Sequence, residues 1–237
     1  MMSAHGRDRM EAGDLSQWLT GGVSQASYDS GTCIRPANGV STDYAHSGSH
    51  SMKMTIDTSS QESGCRQFRS LESKTGGTYY YGAWFYIPQT YKASNYWNIF
   101  QFKSNNGSTE DPFWVVELMP RSNGAIHLRL RWKEGHPGPY ATSGTSSSPI
   151  YFDQTLQDVS AGRWFHIEAY LVQSGSFAGH LTIWQDGVLL WDLANINTKF
   201  SGGDERWSTN NYSDGISPNP TSVYVDDATI STQRVGP

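Results

Sequence analysis

The sequence predicts an all-β fold in which two antiparallel sheets pack face to face. Three observations carry this. Apolar and polar residues alternate over short runs, which is the period of a half-buried strand. Gly, Ser, Asn and Pro punctuate those runs, and no segment holds an amphipathic helical period. Only 36% of the 237 residues are hydrophobic, but 13% are aromatic, and rings bury enough area to fill a core between sheets.

The strands are expected at Ser51–Asp57, Tyr79–Ile87, Trp97–Lys103, Phe113–Met119, Ala125–Trp132, Arg163–Val172, His180–Gln185, Val188–Leu193 and Ser222–Ser231. Asp186-Gly187 reads as a tight hairpin turn between two of them. Ser122-Asn123-Gly124 turns the chain between two others, and Pro88 and Pro120 end strands. Lys133–Ser148 and Phe200–Pro220 are expected as long loops bordering a groove, the second with an isolated, exposed Trp207. Residues 1–10 are expected as a loose arm and 11–237 as one domain, since β-sandwiches of this length form single units.

The net charge of -5 and the 16% of charged residues offer no basic surface for nucleic acid. No run reaches the roughly 18 apolar residues that cross a bilayer. The opening MMSAHGRDRM lacks the apolar centre of a leader, so a leader is absent or already removed. A surface rich in Ser, Thr, Asn and Gly suits a secreted monomer, where Cys33 and Cys65 would form a disulfide.

Alternation assigns faces, because successive side chains of a strand point to opposite sides. Ile126, Leu128 and Leu130 form a core set that leaves His127, Arg129 and Arg131 opposite. Phe165, Ile167, Ala169 and Leu171 likewise leave Trp164, His166, Glu168 and Tyr170. Phe100 and Phe102 oppose Gln101 and Lys103, while Trp114, Val116 and Leu118 oppose Glu117. A solvated face would carry few His, Tyr or Trp, so these side chains read as one binding groove.

The stretch YYYGAWFYIPQTYKASNYWNIFQFKS, then FWVVEL, then GRWFHIEAYLVQSGSFAGHLTIWQDGVLLWDL, resembles the heparin lyase and glucuronan lyase group. The likeness spans roughly Tyr79 to Leu193. It implies a two-sheet antiparallel β-jelly roll of the concanavalin A-like lectin/glucanase type, acting on a uronate-containing polysaccharide by β-elimination. Such a reaction neutralises the substrate carboxylate, removes the C5 proton and protonates the departing oxygen. By type, Gln101 and Arg129 are expected to recognise the carboxylate, with Arg131 beside them. His127 or His166 is expected as base and Tyr170 as acid, with Lys103 also able to move a proton.

Two alternatives stay open. A glycoside hydrolase would use Glu117 and Glu168 as its carboxylate pair. A non-catalytic module would stack sugar rings on Trp164 or on Trp207. Arg129 and Arg131 could instead simply pair with Glu117 and Glu168 across strands. Calcium is expected as a structural ion where the first and last strands meet, held by Glu11, Asp14, Asp226 and Asp227.

Overall fold

The computed structural model describes residues 5–8, 11, 13, 39–60, 63–70, 77–136, 138–140, 144–145 and 147–237. The described strands are β1 (His5–Asp8), β2 (Gly39–Ser41), β3 (Ser51–Ile56), β4 (Gly64–Ser70), β5 (Thr78–Tyr86), β6 (Lys92–Ala93), β7 (Trp97–Asn105) and β8 (Glu110–Pro120). They continue with β9 (Ile126–Trp132), β10 (Ile150–Phe152), β11 (Trp164–Val172), β12 (Gly179–Gln185), β13 (Val188–Ile196), β14 (Asp204–Ser213), β15 (Ile216–Ser217) and β16 (Thr221–Ser231). The first sheet runs β13-β12-β11-β5-β16-β3-β2, with β1 on β16, and the second runs β10-β9-β8-β7-β14-β4. β15 and β6 form a small separate pair. The architecture is an all-β jelly roll.

The core is aromatic, as the composition implied. Phe85 and Tyr81 of the first sheet meet Phe100 and Phe102 of the second at 6.5 and 5.2 Å between ring centres. Such pairs add to the area they bury. Asp186 and Gly187 both take positive φ, 50° and 80°, the backbone that a two-residue hairpin between twisted strands requires.

Three expectations change. His5–Asp8, inside the segment read as a loose arm, pairs with β16. The expected loop Phe200–Pro220 contains β14, which lies between β7 and β4 in the second sheet. Its polar residues on both faces erase the alternation that marks a strand. Trp207, expected to be exposed, is 1% exposed and packs its ring 5.6 Å from both Tyr81 and Phe100. It is a core residue, so it offers no stacking surface to a sugar. Cys65 is disulfide-bonded, and the chain's other cysteine, Cys33, lies outside the described residues.

Candidate active site

The second sheet has one face on the core and one that forms a groove. Register places Glu117 opposite Arg129, Val115 opposite Arg131 and Met119 opposite His127. On β7, Gln101 pairs with Val115 and with Ser208 of β14. Gln101, Lys103, Glu117, His127, Arg129 and Arg131 therefore share a single face, as alternation predicted.

Three register shifts interrupt this part of the sheet, one of them between Phe102 and Lys103 of β7 against β8, and the other two reshape the face. The register of β7 against β8 shifts between Asn98 and Phe100, and that of β14 against β7 shifts between Thr209 and Tyr212. Bulges re-aim side chains and gather beside functional sites. Here the shift turns Asn98 toward the groove although Phe100, two residues on, faces the core. It also sets Tyr212 opposite Asn98.

At this point of the sheet lies a cavity of about 360 Å³ whose lining includes Arg66, Tyr96, Asn98, Gln101, Lys103, Arg131, Lys133 and Tyr212. The Arg66 guanidinium stands 4.1 Å from the centre of the Tyr212 ring, and that of Arg131 is 5.8 Å from the Tyr96 ring. The Tyr96 and Tyr212 rings are 5.2 Å apart. Burial, and then its hydrogen bond with Tyr212, hold the Tyr96 hydroxyl protonated well above the usual phenol range. The site thus pairs a proton-retaining phenol with a second phenol that faces a cation.

The cations differ in how far they are already engaged. Glu117, fully buried, accepts from Arg129 Nη2 at 2.6 Å and Nε at 3.1 Å, and its other oxygen is 2.9 Å from Arg131 Nε. The Arg131 contact has ion-pair distance without hydrogen-bond alignment. Burial raises the Glu117 carboxyl above its ordinary value despite both guanidinium groups. Lys103 is 3.1 Å from Glu110, and Lys133 is 2.8 Å from Asp111.

His127 and Arg129 share the face but do not line the cavity. His127 Nε2 is 3.2 Å from Asp153, and the Arg129 guanidinium lies 4.1 Å over the Tyr151 ring.

Trp164, His166, Glu168 and Tyr170 do not join this site. They sit on β11, on the outer face of the first sheet, with the core between them and the groove. Alternation correctly separated them from the core, but each sheet of a sandwich has its own non-core face, and periodicity does not say which sheet a strand joins. Glu168 is 1% exposed and accepts from Arg234 Nε at 2.9 Å and from the backbone N–H of Val235 and Gly236. Glu117 and Glu168 thus stand on opposite sides of the sandwich. Packed sheets are roughly 10 Å apart, so these two carboxylates do not flank one glycosidic bond, which removes the hydrolase pair. Trp164 packs 5.4 Å from Tyr86, and Tyr170 packs 5.0 Å from Tyr80. His166 is 5.1 Å from the Trp84 ring, and burial pushes its pKa down to about 4.

At the expected calcium position, Glu11 accepts from the backbone N–H of Ser49 and His50 at 2.9 and 3.0 Å, contacts that lower its pKa to about 2. Asp226 accepts from the N–H groups of His46, Ser47 and Asp227, and Asp227 contacts the His46 ring and Ser47 Oγ. These carboxylates thus flank one loop, 46–50, but as placed they are engaged by its donors. Among the described residues no three His, Cys, Asp or Glu side chains converge as a metal site. Asp14 lies outside the described residues.

Sequence reasoning missed Arg66, Tyr96, Asn98 and Tyr212. Tyr212 lay in the segment read as loop, and Asn98 has core parity by simple alternation.

Residues 10–228 match the family model described as "Polysaccharide lyase". No curated protein matches the chain by sequence. Among solved structures, the endo-β-1,4-glucuronan lyase of the fungus Trichoderma reesei superposes with a TM-score of 0.72 at 16% identity, over 98% of this chain and 96% of that one. An alginate lyase from Chlorella virus gives 0.65 at 12% identity, covering 98% and 100%. A cellulose-induced protein gives 0.56 at 17%, covering 97% and 98%. At such identities these likenesses are likenesses of fold.

Proposed function

The chain belongs to the polysaccharide lyase family, and from that premise we propose that it acts on uronate-containing glycans and that the groove of the second sheet performs the β-elimination with Tyr212 as the proton-transferring group. The observation that carries this is the cavity itself, where Arg66, Gln101 and Arg131 surround the hydrogen-bonded pair Tyr96 and Tyr212.

The chemistry divides among these groups. A uronate carboxylate seated against Gln101, Arg66 and Arg131 has its charge offset, which makes the neighbouring C5–H more acidic and stabilises the carbanion-like transition state. Tyr212 takes the C5 proton, the released electron pair forms the C4–C5 double bond, and the C4–O bond breaks. The departing oxygen then takes a proton, for which Tyr212, freshly protonated, is the nearest donor on the same ring face. Tyr96 keeps its own proton and donates to the Tyr212 oxygen. Lys103 and Lys133 are already paired with Glu110 and Asp111, so they add little net charge to the groove.

The test is the ultraviolet absorbance of unsaturated ends on glucuronan, alginate and neutral glucans. Absorbance that grows on a uronate polymer and is abolished by Gln101→Ala supports the reading. Reducing ends released without that absorbance would overturn it. The Cys65 disulfide supports placement in an oxidising, extracellular setting. A structural calcium at loop 46–50 stands as a separate proposal, checked by calcium titration of the chelator-treated protein with melting temperature as readout.

A further inference from the structure

A row of polar side chains runs beneath the groove and ends at Gln101. Ser208 Oγ donates to Asn210 Oδ1 at 2.9 Å, Asn210 Nδ2 donates to Asn98 Oδ1 at 2.8 Å, and Asn98 Nδ2 donates to Gln101 Oε1 at 2.7 Å. All four are buried, Ser208 and Asn210 fully. Each amide oxygen along the row is engaged by the group behind it, and each NH2 points forward. At the last position the carbonyl is therefore taken. Gln101 Nε2 has no acceptor among the described residues, and Gln101 lines the cavity while Ser208 and Asn210 do not.

The row depends on the bulge of β7. Residues three apart in a regular strand face opposite sides, and the register shift between Asn98 and Phe100 brings Asn98 to the side of Gln101.

We propose that Ser208, Asn210 and Asn98 are positioning residues that hold Gln101 with its NH2 group toward the groove, so that the site selects a carboxylate over a neutral hydroxymethyl at the same sugar carbon. An amide is nearly symmetric in shape but opposite in polarity at its two ends. Turned the other way, Gln101 would offer its carbonyl oxygen to the carboxylate and repel it. The proposal rests on the lyase reading, because it assigns the groove a uronate.

The test measures binding of a β-1,4-linked glucuronate oligosaccharide, an alginate oligosaccharide and their carboxyl-reduced counterparts, with melting temperatures as a check on folding. Wild type favours the uronate forms. Asn210→Ala and Ser208→Ala, which remove groups that line no part of the cavity, lower that preference about 3- to 10-fold by weakening uronate binding alone, the scale of one lost hydrogen bond. Ser208→Thr keeps the hydroxyl and restores the preference. Gln101→Ala separates the two layers of argument. If it leaves the preference intact, or if wild type favours neither uronate form, the lyase reading of this groove fails and the relay with it. If Gln101→Ala abolishes the preference while folded Ser208→Ala and Asn210→Ala retain it, the relay alone is overturned. Equal loss for uronate and reduced forms would mark the row as merely structural and overturn the proposal as well.

Discussion

His166 was a candidate base by sequence, and its surroundings now predict a different behaviour. It is 4% exposed, its Nε2 lies 3.0 Å from where a Cβ on Gly82 would stand, and its ring neighbours Trp84. Burial takes its pKa from 6.5 to about 4, with a smaller contribution from the positive charges of His46 and Arg234, against the opposing pull of Glu168 and Asp227. A histidine that binds its proton more weakly when folded leaves stability intact above about pH 6.5 and drains it as pH falls toward 4. Two and a half pH units, the difference between 6.5 and about 4, at about 1.4 kcal/mol each set the loss at about 3 kcal/mol. For a chain of this size that is about 6–12 °C in melting temperature. The perturbation is His166→Gln, similar in size and unable to titrate. Wild type and variant are unfolded in urea at steps from pH 7 to pH 4. Their carboxylates contribute to both curves alike, so the difference between the curves isolates His166. The variant gains on wild type by about 3 kcal/mol across that window and turns over substrate normally at pH 7. Parallel curves would refute the burial argument, and loss of turnover in a folded variant would return His166 to the chemistry.

Tyr212→Phe lowers kcat about 10²- to 10⁴-fold, the usual contribution of a positioned proton-transfer group, and leaves oligosaccharide binding within a few-fold; undiminished unsaturated-end absorbance would remove Tyr212 from the mechanism. Trp207→Ala, emptying a fully buried ring site, costs about 3–5 kcal/mol in urea unfolding, whereas an exposed stacking residue would cost almost nothing. Glu117→Gln leaves two guanidinium groups, at 16% and 15% exposure, without their shared carboxylate, and destabilises by about 2–4 kcal/mol. A loss below about 1 kcal/mol would show that solvent already compensates both arginines.

The fold was legible wherever one face of a strand is apolar and the other polar. Each strand read from alternation is present, and the core sets around Leu128 and Ile167 are buried as assigned. Three residues of the site were legible on the same ground, since Gln101, Lys103 and Arg131 line the cavity. The rest was hidden for separate physical reasons. His166 and Tyr170 obey the same parity as Arg129 and Arg131, and only sheet membership, a matter of long-range pairing, tells the two sets apart. Asn98 carries the parity of Phe100 until a bulge reverses it. β14 places Ser208, Asn210 and Tyr212 toward the groove and Thr209 and Asn211 on its other side, so it has no apolar period to detect. In each case the missing information was tertiary.

Asn211 sits at the β14 bulge with its side chain turned away from the groove. Its Oδ1 accepts from Trp97 Nε1 at 2.9 Å, and its Nδ2 reaches the backbone carbonyls of Met54 and Thr221, both on strands of the first sheet, at 2.9 Å each. One side chain therefore bolts the strand carrying Tyr212 to the opposite layer. The groove is then not a module that could be lifted out with its own sheet. Loosening β3 or β16, which contribute nothing to the cavity wall, would let the floor beneath Tyr212 shift, and engineering that trims the far layer would erode turnover from behind.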